Sequence, residues 1–152
     1  MSRINPEQSV IVFDLDDTLY AEYEYKCSGI RAVTALVAKL YPEFGETELL
    51  EKIDADGNGW LDELCALCNF NSEEKKSLLW YYRLHTPVLT PYWHSQKLAA
   101  FIRRFAAAAL ITDGRSLTQR LKLDALGIRC LFDEILVSES SGQEKPDGGR
   151  FY

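Results

Sequence analysis

The feature that most constrains this chain is a short apolar run that ends in a cluster of acids. Ser9 to Phe13 (SVIVF) is nearly continuous in hydrophobic and β-branched residues, which predicts a parallel strand buried on both faces. Asp14, Asp16 and Asp17 follow directly, so three carboxylates fall within four residues. They would repel one another in a plain turn unless a divalent cation neutralised them. Because ligands bind at the carboxyl ends of strands in open α/β sheets, this loop is a candidate metal site.

The C-terminal half of the chain alternates between helical and strand patterns. An amphipathic helix is predicted from Ser95 to Phe105, and a buried strand from Ala107 to Thr112. A helix from Arg115 to Leu126, stopped by Gly127, then leads to a third strand from Phe132 to Ser138. This alternation is typical of a parallel sheet, so we predict an α/β fold with a Rossmann-like sheet.

The segment between these parts has only helical patterns. Apolar residues recur at helical spacing from Ile30 to Tyr41, and a further helix opens at Ser72 and is closed by Pro87. We therefore predict an all-helical insert of four helices at residues 21–93. The α/β core would comprise residues 1–20 and 94–152.

Composition excludes several classes of protein. The 152 residues are 47% hydrophobic, which is enough to bury a core. The net charge of −6 offers no basic field for phosphate backbones, so we expect no nucleic-acid partner. The N-terminus lacks a basic stretch followed by an apolar region, and no run approaches the roughly 18 apolar residues of a membrane span. We predict a cytoplasmic protein without a membrane partner.

The four cysteines are expected to be reduced thiols and not a disulfide framework. Cys65 and Cys68 form a CxxC pair, but no second pair stands at the spacing of a zinc site. On a helix these two residues are simply neighbours, so we favour a structural role for them.

Three segments, in order, resemble the motifs of the haloacid dehalogenase (HAD) superfamily, in its phosphatase branch with a helical cap. FDLDDTL resembles the first motif, DxDxT after a buried strand; LITDGRS resembles the second, and SESSGQEKPD the third. The resemblance covers residues 9–20 and 95–148, and the insert matches only in position and helical character. It implies a HAD-like core, a cap that closes over the site, and a Mg²⁺-dependent phosphatase or phosphotransferase acting on a small phosphorylated metabolite.

The resemblance also implies roles for individual residues. Asp14 would be the nucleophile that forms an aspartyl phosphate, and Asp16 the acid and then the base. Asp14 and the backbone carbonyl of Asp16 would bind Mg²⁺. Thr18 would hold the turn, and Lys145 would stabilise the nucleophile and the charge of the transition state.

The second motif would supply the phosphate-binding groups. The Thr112 hydroxyl and the backbone at Asp113 and Gly114 would bind the phosphoryl oxygens, although many relatives have Asn where this chain has Asp113. Asp16 also separates branches of the superfamily. Dehalogenating members lack an acid two residues after the nucleophile, because a halide leaves without a proton, so the resemblance favours phosphoryl transfer.

A second acidic segment resembles a calcium-binding loop. Residues 54–62 follow the EF-hand calcium loop through its first nine positions, from Asp54 to Asp62. Position 12, which should be a bidentate Glu, is Cys65. We favour a structural turn and keep a Ca²⁺-binding module as an alternative.

The C-terminus is where the chain departs from the resembling family. Relatives continue past the lysine with another strand and a fourth motif whose acids complete the Mg²⁺ site, and no such acids follow Asp147. We therefore expect a HAD-like core that is truncated before the fourth motif. Val10 to Phe13 would then form an exposed sheet edge that promotes self-association. A non-catalytic remnant that binds a partner is the second alternative.

Overall fold

Three parallel strands form one sheet in the computed structural model, which describes residues 4–141 of the chain. They are β1 (Val10–Phe13), β2 (Ala107–Thr112) and β3 (Glu134–Val137), in the order β1-β2-β3. The two pairings are parallel, so all three strands end at the same edge of the sheet. The predicted α/β class with a parallel sheet is confirmed.

The register of the sheet determines which loops become neighbours. Phe13 lies opposite Leu110, and Thr112 lies opposite Val137. The residues that follow each strand, beginning with Asp14 after β1, therefore leave the sheet on the side where α/β proteins bind ligands.

Four helices occupy the segment of residues 21–93 that follows β1. They are α1 (Glu22–Leu40), α2 (Glu46–Lys52), α3 (Trp60–Cys68) and α4 (Ser72–Leu84). The backbone contacts divide the chain into a unit formed by residues up to Glu24 and from Val88 onward, and a second unit of Tyr25–Pro87. An all-helical insert was predicted here, whereas the assignment of residues 21–93 as a separate domain stays a prediction.

The helical unit has a core of its own. Its buried residues come from all four helices and from the segment after α2: Ile30, Val33, Val37, Leu49, Ile53, Trp60, Leu61, Leu64, Cys65, Cys68 and Leu78. Burial raises the pKa of the Cys65 and Cys68 thiols, so both stay protonated and behave as small hydrophobic residues.

Three further helices belong to the unit that contains the sheet. They are α5 (Ser95–Ile102), α6 (Ser116–Ala125) and the short α7 (Ser138–Ser141). Gly127 has a φ of 65° directly after α6, a left-handed conformation that suits a glycine at a helix end. The fully buried side chains of this unit include Leu15, Leu98, Leu110, Leu123, Ile128 and Val137. No helix among the described residues is long and apolar enough to cross a membrane.

The prediction that β1 is buried on both faces is wrong. Val10 is 61% exposed and Val12 is 42% exposed, while Ile11 and Phe13 are partly buried. Successive residues of a strand point to opposite faces of its sheet, so Val10 and Val12 share one face. Within residues 4–141 that face of β1 is left open to solvent.

Strand β3 is shorter than predicted because an aspartate precedes it. The Asp133 carboxylate accepts a hydrogen bond from the Ala108 backbone N–H at 2.8 Å, and the Asp133 N–H donates to the Ala108 carbonyl at 2.9 Å. One of the two hydrogen bonds is thus made by a side chain, and the strand begins only at Glu134.

Candidate active site

The acidic loop after β1 is a tight turn around a buried leucine. Leu15 is wholly buried, and its carbonyl accepts hydrogen bonds from the N–H groups of Thr18 (3.3 Å) and Leu19 (3.0 Å). Asp17 has a φ of 55°, and its carboxylate accepts from the Glu22 N–H at 2.9 Å, at the start of α1. Thr18 lies in this turn, and its role in holding the turn stays a prediction. Aspartate adopts this left-handed conformation more readily than most residues do.

Asp16 is held by three side-chain donors. The Tyr20 hydroxyl and the Lys122 ammonium contact Oδ1 at 2.5 and 2.7 Å, and Gln119 Nε2 contacts Oδ2 at 2.8 Å. Burial by itself raises the pKa of Asp16. The Lys122 charge and the hydrogen bonds from Lys122, Tyr20 and Gln119 outweigh this effect and hold the pKa of Asp16 below its ordinary value. Asp16 is therefore ionised in this arrangement.

Gln119 joins the acidic loop to the end of β2. Besides Asp16, its Nε2 lies 2.6 Å from the Thr112 hydroxyl oxygen and 2.7 Å from the Asp113 carbonyl oxygen. Thr112 is wholly buried and Gln119 is 1% exposed. The structure thus brings Asp16, Thr112 and Asp113 together around one buried amide.

The loop after β2 is held by the residues that follow β3. The Gly114 N–H donates to the Ser138 hydroxyl at 2.8 Å, and the Glu139 carboxylate accepts from the Ser116 N–H at 2.7 Å. Gly114 has a φ of 127°, which side chains rarely allow, and a Cβ there would lie 3.4 Å from Gln119. Phosphate binding by the Gly114 N–H, as predicted, would require this hydrogen bond to Ser138 to be exchanged.

Lys145, to which the resemblance assigns charge stabilisation, lies outside the described residues. Asp14 is half-buried at the end of β1. The catalytic role of Asp14 and the phosphate-binding roles of Thr112, Asp113 and Gly114 stay predictions.

Sequence reasoning missed Tyr20, Gln119 and Lys122. A signal was present on α6: Gln119 and Lys122 share helical spacing with the buried residues Leu123 and Leu126. An amide and an ammonium on the apolar face of a helix need polar partners, because burying them alone costs several kcal/mol.

The donor groups after β1 suit Mg²⁺ in type. The Asp14 carboxylate and the Asp16 backbone carbonyl are oxygen donors, and Mg²⁺ is commonly held by one or two carboxylates with water and substrate phosphate completing its shell. Within residues 4–141 no group of three His, Cys, Asp or Glu side chains could hold a metal ion by itself.

The loop of residues 54–62 is bonded by the protein's own groups. The Lys26 ammonium donates to the carbonyl oxygens of Asp56 (2.8 Å) and Gly57 (2.9 Å), and the Asp54 N–H donates to the Glu63 carboxylate at 2.8 Å. The Asp54 carboxylate accepts from the Asp56 N–H at 3.1 Å. A lysine thus supplies a positive charge to two carbonyl groups of this loop, and the preference for a structural turn over a Ca²⁺ site stays a prediction.

The comparisons with known proteins agree on one family. The family described as "Hydrolase: haloacid dehalogenase-like hydrolase" matches residues 8–152. Glyceraldehyde 3-phosphate phosphatase from Methanocaldococcus jannaschii is 32% identical over 147 residues, which cover 90% of this chain. The chain spans 64% of the length of that relative.

Solved structures share the fold. YfnB of Bacillus subtilis, described as a HAD-hydrolase and solved with magnesium, has a TM-score of 0.62 and 20% identity. A 2-haloacid dehalogenase from Pseudomonas syringae pv. Tomato has a TM-score of 0.57 and 20% identity. In both cases the match covers 95% of this chain and 70% of the other. A dehalogenase and a chain solved with magnesium are thus similar to this one in fold, and the fold alone does not select the reaction.

Proposed function

We propose, from the premise that this chain belongs to the haloacid dehalogenase-like hydrolases, that it is a Mg²⁺-dependent phosphatase or phosphotransferase. It would act on a small phosphorylated metabolite through an aspartyl phosphate on Asp14. Residues 8–152 match the family, so the premise covers the sheet, the helical insert and the acidic loop alike.

The observation that carries this proposal is the carboxylate of Asp16. It stands two residues after Asp14 and is fixed by Tyr20, Gln119 and Lys122 at the carboxyl end of the sheet. Loss of a halide needs no proton donor, whereas loss of an alkoxide does. An acid at this position therefore favours phosphate esters over haloacids as substrates.

Two carboxylates divide the chemistry between them. An Asp14 oxygen attacks phosphorus in line, the bond from phosphorus to the ester oxygen breaks, and that oxygen takes a proton from Asp16. Asp16 then removes a proton from water, which attacks phosphorus and releases inorganic phosphate and the free Asp14 carboxylate. Because Asp16 is ionised in the arrangement described, it is ready for the second of these steps and must gain a proton before the first.

Asp14 and the Asp16 carbonyl would hold the metal ion, which when bound neutralises charge on the phosphoryl oxygens. The Thr112 hydroxyl and the N–H groups at Asp113 and Gly114 would bind those oxygens. Lys145 would add a positive charge beside the nucleophile.

A phosphorylated aldehyde or sugar is the first substrate class to test. The curated relative is a glyceraldehyde 3-phosphate phosphatase, and its identity to this chain is 32%. This proposal assigns the chain a small soluble substrate, in agreement with a net charge of −6, which gives no overall positive field to attract nucleic acid.

The test is a screen of phosphate release from a panel of triose, pentose, hexose and nucleoside monophosphates, with Mg²⁺ and with a chelator. We expect Mg²⁺-dependent release from at least one sugar or aldehyde phosphate, and none from the Asp14→Asn variant. Chloride release from 2-chloropropionate, measured in parallel, is expected to be absent. Phosphate release that survives Asp14→Asn or the chelator would reject the proposal.

A further inference from the structure

Three buried side chains surround Asp16, and none of them belongs to the motifs that suggested the proposed function. Tyr20 is wholly buried, Gln119 is 1% exposed and Lys122 is 4% exposed. Together they make three hydrogen bonds to a single carboxylate. We infer that Gln119 and Lys122 are positioning residues that orient the Asp16 carboxylate toward the ester oxygen. This inference rests on the proposed function.

The ion pair between Lys122 and Asp16 is unusual in being almost removed from water. The Lys122 side chain is 5% exposed and that of Asp16 is 21% exposed, and their Nζ and Oδ1 atoms are 2.7 Å apart. The other four ion pairs of the described residues involve side chains that are 39% to 76% exposed. Surface pairs of that kind contribute little to stability, whereas a lysine on the buried face of α6 needs its carboxylate.

The contacts are divided between the two carboxylate oxygens. Lys122 and Tyr20 share Oδ1, and among residues 4–141 it is Gln119 that contacts Oδ2. Donors on both oxygens restrict rotation of the carboxylate about its terminal torsion, which would otherwise be broad. Its orientation is thereby set before a substrate arrives.

The amide of Gln119 carries a second constraint. Its nitrogen has two hydrogens but lies within hydrogen-bond distance of three oxygens, those of Asp16, Thr112 and the Asp113 carbonyl. The two hydrogens are therefore shared among three acceptor oxygens, of which the Thr112 hydroxyl oxygen is the nearest at 2.6 Å. Gln119 therefore couples the orientation of the acid to that of the predicted phosphate-binding segment.

Leaving-group dependence separates positioning from general structural support. An alkyl phosphate such as glyceraldehyde 3-phosphate needs a proton on its departing oxygen, whereas 4-nitrophenyl phosphate releases a stable phenolate without one. The ratio kcat/KM covers steps up to leaving-group release, so it reports Asp16 as the acid only. A displaced carboxylate should therefore reduce kcat/KM for the alkyl ester far more than for the aryl ester.

The experiment compares Lys122→Met and Gln119→Met with the unsubstituted chain on the alkyl and aryl esters. We expect kcat/KM to fall about 100-fold for the alkyl ester and less than about 3-fold for the aryl ester. The conservative variant Lys122→Arg keeps a charged donor. It should retain at least about a tenth of the kcat/KM of the unsubstituted chain for the alkyl ester. Arg120→Met is the matched control, because it removes a positive charge from the same helix at a side chain that is bonded to Ser116. It should leave kcat/KM unchanged for both esters.

Equal losses on the two esters, in variants whose circular dichroism is unchanged, would overturn this inference and leave the proposed function standing. If Lys122→Met does not fold, the neutral Gln119→Met variant decides the question on the same criterion. If the unsubstituted chain hydrolyses neither ester and no phosphate of the panel described above, the proposed function fails, and the positioning role fails with it.

Discussion

At the scale of single residues, the carboxylate of Asp16 shows how a short motif depends on residues far away in the chain. Tyr20 lies four positions beyond it, whereas Gln119 and Lys122 lie 103 and 106 positions away. The motif alone identifies an acid, but its orientation and its lowered pKa come from these partners. Single-residue substitutions in this group are therefore the most direct tests of the site.

Asp14→Asn should abolish turnover and leave the fold intact. The amide has nearly the shape of the carboxylate but cannot form an acyl phosphate. We expect kcat to fall by at least about 10³-fold, with unchanged circular dichroism and thermal midpoint. Turnover close to that of the unsubstituted chain would remove Asp14 as the nucleophile.

Asp16→Ala should lower the free energy of unfolding by about 3 kcal/mol, because it leaves the buried Lys122 ammonium without its carboxylate. Adding Lys122→Met to this variant should restore most of the lost free energy of unfolding, since the double variant buries no unpaired charge. Urea denaturation of the two single variants and the double variant measures the coupling. Simple additivity of the two substitutions would contradict an ion pair between these residues.

At the scale of elements, the sequence was most informative where hydrophobic spacing dominates and least informative where side chains bond to the backbone. The helix predicted from Arg115 to Leu126 is observed as Ser116–Ala125. The helix predicted to open at Ser72 is also observed to start there, where Asn71 accepts from the N–H groups of Glu73 and Glu74 in a capping box. In contrast, the start of β3 depends on the bonds between Asp133 and the backbone of Ala108, and it was not predicted. Such local bonds require coordinates, because hydrophobic periodicity does not encode them.

The loop of residues 54–62 should be dispensable for activity. We expect Asp54→Ala combined with Asp56→Ala to leave turnover and its metal requirement within about 2-fold of the unsubstituted chain, because Lys26 already bonds to two carbonyls of this loop. Calorimetry with Ca²⁺ is the accompanying measurement. If the unsubstituted chain binds Ca²⁺ with micromolar affinity and the double variant does not, the alternative of a Ca²⁺-binding module is supported and the structural turn is wrong.

His85, which follows α4, should make the stability of the helical unit depend on pH. Its Nδ1 lies 2.6 Å from the Tyr82 carbonyl oxygen and must donate to it, so Nε2 accepts from the Ser28 hydroxyl at 3.1 Å when the ring is neutral. Its ring also contacts the Tyr25 and Tyr82 rings. Burial lowers the pKa of His85, and the bond to Tyr82 opposes this only in part.

Since the pKa of His85 is lower in the folded than in the unfolded chain, the unfolded chain binds a proton first as the pH falls. Stability should therefore be constant above the ordinary histidine pKa of about 6.5 and decrease as the pH falls from that value through the folded pKa. Denaturation curves from pH 8 to pH 5 test this, with His94→Gln, at an exposed position, as the control. If the stability of the His85→Gln variant still falls between pH 8 and pH 5, another group is responsible for the pH dependence.

At the scale of the whole molecule, parallel topology accounts for most of the candidate site that could be predicted. The strand ends after Phe13, Thr112 and Val137 share one sheet edge, so the acidic loop and the second motif could be placed together from sequence patterns alone. The contribution of α6 could not, because it depends on which face of that helix turns toward Asp16. The exposure of the face of β1 that carries Val10 and Val12 was not predicted either, since an apolar run does not reveal what covers each face of a strand.

The last prediction concerns the outer edge of β1, which has no partner strand among residues 4–141. Its backbone groups can pair with a second strand, and the exposed Val10 and Val12 add apolar surface beside them. We expect the 152-residue chain to self-associate between about 10 µM and about 1 mM, as measured by sedimentation velocity. Val12→Lys should shift the population toward monomer, because a charged residue on an edge strand opposes pairing. Val88→Lys, at a position 81% exposed and outside the sheet, should leave the association unchanged. A chain that stays monomeric throughout this range would show that the edge is not an association surface.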